Sequence, residues 1–131
     1  MIRSGSTLQY NMVRSLVEES KSGEGKGFFT VKQILSDRSI FLDMESDSRK
    51  YVIKMHEEYP LLSSEKLQNG SVKIVYIYRD IRDVAVSVKR KFKHTEVKLI
   101  DALDRAVQTS RLITSQQNIL QQKYEDIYID L

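Results

Sequence analysis

The stretch that most constrains this chain runs from Lys73 to Lys93, KIVYIYRDIRDVAVSVKRKFK, where an apolar run changes its period at Arg79-Asp80. Val75, Tyr76, Ile77 and Tyr78 are β-branched or aromatic and uncharged, the composition of a strand buried on both faces of a parallel sheet. Asp80 is placed to cap a helix. Ile81, Val84, Ala85, Val88 and Phe92 then recur at helical spacing, leaving Arg82, Lys89, Arg90, Lys91 and Lys93 largely on the opposite side. The junction sets Arg79 at the carboxyl end of a strand, where open α/β sheets bind their ligands, with Ser87 eight residues further on.

Around this junction the pattern predicts one α/β domain over residues 1–131, three layers deep, with a short, mostly parallel sheet and helices on both faces. A chain of this length buries roughly two thirds of its unfolded surface, enough for a core without staples. The expected strands are Lys50–Lys54, Val72–Tyr78 and Asp126–Asp130, and only Met1-Ile2 stand for a first strand, which is either a stub or shortened at the N-terminus. Leu8, Met12, Val13, Leu16 and Val17 form the apolar stripe of a first helix, and the glycine-rich Lys21–Gly27 reads as the loop that ends it. Val31, Ile34 and Leu35 fit a short helix. Residues 39–44 fit a helix continuation or a strand equally, and Leu61–Leu67 a short helical turn before the Asn69-Gly70 turn. Thr95 is expected to cap a long helix to about Gln122, with Val97, Ile100, Leu103, Val107, Ser110 and Leu112 on its inner face. Its glutamine-rich end, Ser115–Gln122, reads as a solvated helix face, with an exposed interaction helix as the alternative, and Tyr124–Leu131 as the last strand.

Three features carry chemistry. Arg3-Ser4-Gly5-Ser6-Thr7 opens the first helix, and unpaired N–H groups at a helix start attract phosphate-like anions. An ordinary Ser/Thr cap after a surface turn is the plainer reading of that loop, and no GxxxxGK[ST] motif supports a kinase or nucleotide hydrolase. Lys54 and His56, two residues apart at the end of a strand, share a face. The third feature is the Arg79 junction itself. The absence of cysteine excludes disulfides and thiolate metal sites and fits a reducing compartment, so the expected location is the cytoplasm. No apolar run approaches a membrane span. The net charge of +3 suits an anionic small molecule without requiring nucleic acid. The Lys89, Arg90, Lys91 and Lys93 cluster reads as a solvated basic face that also steers an anionic ligand.

RSGST at a helix start, KMH at a strand end and YRDIRDVAVS across a strand-to-helix junction, in this order, resemble the sulfotransferases that use 3'-phosphoadenosine 5'-phosphosulfate (PAPS). YRDIRDVAVS is close to the family pattern R-[DN]-P-[RK]-D-[VA]-x-x-S, with Ile81 where proline is usual, and KYEDI resembles a further family segment, YEDL. The resemblance implies the P-loop-like sulfotransferase fold and transfer of a sulfuryl group from PAPS to a hydroxyl or amine of a small-molecule or glycan acceptor. It implies that Ser4, Gly5, Ser6 and Thr7 wrap the 5'-phosphosulfate and that Arg3 offsets charge on the leaving phosphate. Arg79 and Ser87 would grip the 3'-phosphate. His56 would be the general base, with Glu57 or Glu58 in reserve, and Lys54 would hold the leaving or transferring group. No metal is needed.

Two departures from the family pattern accompany the resemblance: only Met1-Ile2 stand for the first strand, and no G-x-x-G-x-x-K element precedes Leu131. They define the alternative, a non-catalytic sulfotransferase-like module that binds a nucleotide or a protein. An exposed sheet edge would favour self-association.

Overall fold

Parallel strands cannot be joined by a tight turn, and both strand pairs among the described residues are parallel with helices between their members. The structure, a computed structural model, describes residues 4–36, 44, 46–56, 65–92, 95–115 and 119–128. The chain divides into two compact units, one of Ser6–Tyr59 and one of Met1–Gly5 with Pro60–Leu131. The class is α/β, as the sequence pattern predicts, and among the described residues the strands form two two-stranded sheets.

In the first unit, α1 (Ser6–Glu19) packs on β1 (Gly23–Phe28) and β2 (Lys50–Lys54), with α2 (Val31–Ser36) between the strands. The expected strand Lys50–Lys54 and short helix are present; the expected loop over Lys21–Gly27 is not, because Gly23–Phe28 is a strand. Its glycines are there for close approach. A Cβ on Gly23 would meet the backbone carbonyl of Lys50, and one on Gly25 would overlap the Arg14 stem and the Tyr10 hydroxyl. Tyr10, Arg14 and Glu18 lie one turn apart on one face of α1. The Gly27 N–H donates to the Tyr10 hydroxyl at 2.8 Å and the Gly25 N–H to Glu18 Oε1 at 3.1 Å, while Arg14 pairs with Glu18. Between Gly25 and Gly27 the register with β2 shifts, and Gly27 takes φ +87°. Local propensity reads a loop here because the strand is specified by a polar helix face, which no window of the strand itself contains.

That face also turns α1 away from the predicted stripe. Leu8, Met12 and Leu16 are exposed, whereas Gln9 is buried and Val13 and Val17 are half-buried. At the far edge of the pair, the Asp47 carboxylate accepts from the Tyr51 hydroxyl at 2.6 Å and from the Arg49 backbone and Nε at 2.9 and 2.7 Å. These bonds, the tyrosine's first, hold Asp47 down at about 2 from 3.8.

In the second unit, α3 (Glu65–Gln68) precedes β3 (Ile74–Tyr78), α4 (Ile81–Phe92), α5 (Glu96–Thr114) and β4 (Ile119–Lys123), and Tyr124–Tyr128 form a short 3-10 helix. Tyr76 and Ile77 are both buried, so β3 is covered on both faces as its sequence predicts, and Val84 and Val88 carry the core face of α4. Asp80 caps α4, accepting the Arg82 N–H at 2.8 Å and a two-pronged contact from the Arg82 guanidinium, which depresses its carboxyl below the usual range.

Three expectations fail in this unit. The long helix ends at Thr114, and the stretch read as its solvated end contains β4; Tyr124–Tyr128, the start of the expected last strand, is 3-10 helix. Ile119 fills the hydrophobic cluster with Tyr76 and Ile113, so one well-placed isoleucine outweighs the polar glutamines beside it. On α5 the buried residues are Ala106 and Ile113; Val97, Ile100 and Leu112 point to solvent, and Thr95 caps without a side-chain bond. The stub Met1-Ile2, most of residues 39–44 and Leu61–Ser64 lie outside the described residues. Among those described, no helix is long and apolar enough to cross a membrane.

The contacts of β1 make its glycines unequal. Gly25→Ala is expected to cost about 1–3 kcal/mol in urea unfolding by overpacking, whereas Gly27→Asn, which faces open space and suits a left-handed backbone, stays within about 0.5 kcal/mol. Equal losses would contradict the clamp. For the Asp47 network, Tyr51→Phe should move the Asp47 carboxyl titration, followed by NMR, from about 2 back toward 3.8. Because the folded value lies below the unfolded one, the network stabilises above pH about 4 and its contribution disappears as the pH falls toward 2. Tyr51→Phe would flatten that acid limb.

Candidate active site

The parallel register of β3 and β4 brings Tyr78 opposite Lys123, so the next residue of each strand, Arg79 and Tyr124, leaves the sheet at the same end. The Arg79 guanidinium lies over the Tyr124 ring, 4.7 Å from its centroid. Its Nη2 donates to Asp83 Oδ2 at 3.3 Å, one turn into α4, and its Nε faces Glu125 Oε1 at 3.8 Å. The other side of the arrangement is the loop. Gly5 takes φ +85°, and a Cβ there would run into the edge of the Tyr124 ring and touch Ile77; Ser4 beside it is fully buried. Tyr124 thus ties the N-terminal loop to the strand-end arginine.

In the Ser6–Tyr59 unit a second cluster forms at the start of α1. Lys54 Nζ, at the end of β2, donates to Thr7 Oγ1 at 2.6 Å across a sequence separation of 47 residues. Burial lowers the Lys54 ammonium from its ordinary value, as desolvation does for a cation. His56 is exposed and packs its ring at 5.1 Å from Phe28, tilted by 50°. The strand that reads as a loop in the sequence therefore supplies the histidine's neighbour. Phe28 pairs with Lys54 in the parallel register, and the Phe29 N–H donates to the Lys54 carbonyl at 2.9 Å.

Each unit thus sets a strand-end cation beside residues of the small-residue segment, Arg79 near Gly5 in one and Lys54 on Thr7 in the other, and each cation suits an anionic ligand group. A family model described as a sulfotransferase domain matches residues 1–129. The chain belongs to the sulfotransferase domain family. Comparison with curated proteins and with solved structures returns no match.

Within this sulfotransferase domain the predicted site residues fall into the two units. Ser4, Gly5, Arg79 and Ser87 belong to one, and Ser6, Thr7, Lys54 and His56 to the other. Arg79 meets the loop through Tyr124, and Lys54 meets Thr7 directly. Ser87 is half-buried on α4, next to the buried Val88. Arg3, Glu57 and Glu58 lie outside the described residues. The side chains that sequence reasoning missed are Tyr124, Glu125 and Asp83. Tyr124-Glu125 stood in the YEDI segment, whose resemblance was visible, but reading it as a strand hid its place beside Arg79. Among the described residues no group of three or more His, Cys, Asp or Glu side chains is arranged to hold a metal ion.

Gly5 is the strictest position. Gly5→Ala is expected to cost about 1–2 kcal/mol for the left-handed backbone alone and to displace the Tyr124 ring as well. A thermal melt together with the Tyr124 ring resonances would record both effects. An unshifted Tyr124 in a folded Gly5→Ala variant would contradict the contact.

Proposed function

We propose that this domain transfers a sulfuryl group from PAPS to a hydroxyl or amine of a small-molecule or glycan acceptor. The observation that carries this reading is the Arg79–Tyr124–Gly5 assembly, an arginine on an aromatic face against the small-residue loop of a sulfotransferase family member. In this reading Arg79, with Ser87, takes the 3'-phosphate, since a guanidinium offers several donors in one plane to phosphate oxygens. Ser4, Gly5, Ser6 and Thr7 wrap the 5'-phosphosulfate with amides and hydroxyls.

The chemistry assigned to the other cluster follows from charge flow. The acceptor oxygen or nitrogen attacks sulfur, the bond from sulfur to the bridging oxygen breaks, and negative charge grows on the departing bisphosphate. Lys54, already hydrogen-bonded to Thr7, stands for the cation that meets this charge, and Arg3 is assigned a share of the same task. Its partial desolvation strengthens that interaction relative to water. His56 takes the acceptor's proton, a role that an imidazole performs near neutral pH.

Calorimetric titration of the whole chain with adenosine 3',5'-bisphosphate, with ADP as control, tests the donor site. Arg79→Ala is expected to weaken bisphosphate binding about tenfold or more, the value of one charge-assisted contact. Radiolabelled sulfuryl transfer tests turnover, and His56→Ala should lower its rate by about 10²-fold or more. Binding without transfer to any acceptor tested would select the non-catalytic module. Equal affinity for ADP and the bisphosphate would remove the 3'-phosphate assignment.

A further inference from the structure

Arg79 meets two carboxylates in different surroundings. Asp83 is 53% exposed and reaches Nη2 at the long distance of 3.3 Å, from a helix turn where water competes for it. Glu125 exposes its stem, but both of its carboxylate oxygens are withdrawn from water and, among the described residues, accept no hydrogen bond. Arg79 Nε, 3.8 Å away, is likewise buried without a hydrogen-bond acceptor among the described residues. A carboxylate stripped of water is costly unless a cation faces it, and among the described residues Arg79 is the cation paired with Glu125. Tyr124 and Glu125 are consecutive, so one dipeptide holds the face and the Nε edge of the guanidinium. Asp83 pairs with Nη2 from the solvated first turn of α4.

We propose that these two carboxylates set the affinity of the Arg79 anion site in opposite directions. Glu125 is a positioning residue: it fixes the guanidinium on the Tyr124 ring with its Nη groups directed outward. Asp83 is a displaceable counter-ion that occupies Nη2 until a phosphate oxygen replaces it. The inference rests on the reading of Arg79 as a 3'-phosphate ligand. It is not what charge alone predicts, because simple repulsion makes both carboxylates oppose an anion, and neutralising either would then tighten binding.

The test uses the full chain, with Asp83→Asn, Glu125→Gln and Glu125→Asp, titrated with adenosine 3',5'-bisphosphate at fixed ionic strength. Asp83→Asn should tighten binding about two- to five-fold, the range for an exposed ion pair. Glu125→Gln should weaken it about tenfold, with partial recovery in Glu125→Asp. Tighter binding in both neutralised variants would overturn the proposal in favour of bulk repulsion, and weaker binding in both would remove Asp83 as a competitor. Exchange of the Arg79 Nε–H, followed by NMR without ligand, gives an independent readout. It should be slow in the wild type and in Asp83→Asn, and fast in Glu125→Gln. If the wild type ignores the bisphosphate, the donor reading falls with the affinity claim, while the exchange rates still decide whether Glu125 orients Arg79; equal rates in all three would overturn that too.

Discussion

The parallel ladder between β3 and β4 is the constraint on which the candidate donor site rests. With Ile74 opposite Ile119 and Tyr78 opposite Lys123, the next residues out are an arginine and a tyrosine, and cation and ring meet without any loop having to find the other. A register slip of one residue would turn every β4 side chain to the other face and remove Ile119 from its place with Tyr76 and Ile113. Core packing and ligand chemistry are therefore specified by the same alignment. The hydrophobic cluster fixes the register, and the register delivers Tyr124 and Glu125 to Arg79.

The first unit solves a related problem with different materials. Half of its outer strand is glycine and the strand's one apolar side chain, Phe28, is exposed, so it is not held by apolar burial. It is held by polar groups on α1, where Tyr10 and Glu18 take backbone N–H donors of β1 and Arg14 lies against Gly25. An edge strand normally leaves such donors to water or to a stray partner chain. Here a helix occupies them. The same helix carries Thr7 in its first turn, so the clamp that seats α1 on the strands also fixes the hydroxyl that Lys54 reaches.

What could be read from the sequence follows from where the information lies. The β3–α4 junction was legible because its determinants are local: an uncharged β-branched run, Asp80 as cap, and a helical stripe that Val84 and Val88 bury, although Phe92 at the end of that stripe is exposed. Arg79 at the strand end followed from that pattern, and the family was legible from three short motifs in order. β1 and β4 were misread because their strand character comes from partners far along the chain, the α1 polar face in one case and the Tyr76–Ile113 cluster in the other. The α1 and α5 stripes were rotated for the same reason. Apolar periodicity assumes a helix buries its greasiest side, whereas α1 turns Gln9, Tyr10 and Arg14 inward and leaves Leu8, Met12 and Leu16 outside. Tyr124 and Glu125 were hidden by the misplaced last strand, a consequence of missing β4.

The separation along the chain within the β3–β4 pair bears on how the molecule is made. Partner residues of this ladder are forty-five positions apart, with α4 and α5 between them. Closing so long a segment costs entropy that only the completed ladder returns, so the two helices form early and the ladder late. Arg79 meets its ring and Glu125 only where the ladder is paired. On the proposed reading of Arg79, anion recognition there requires the completed ladder, so binding at that position would report that the two strands have paired.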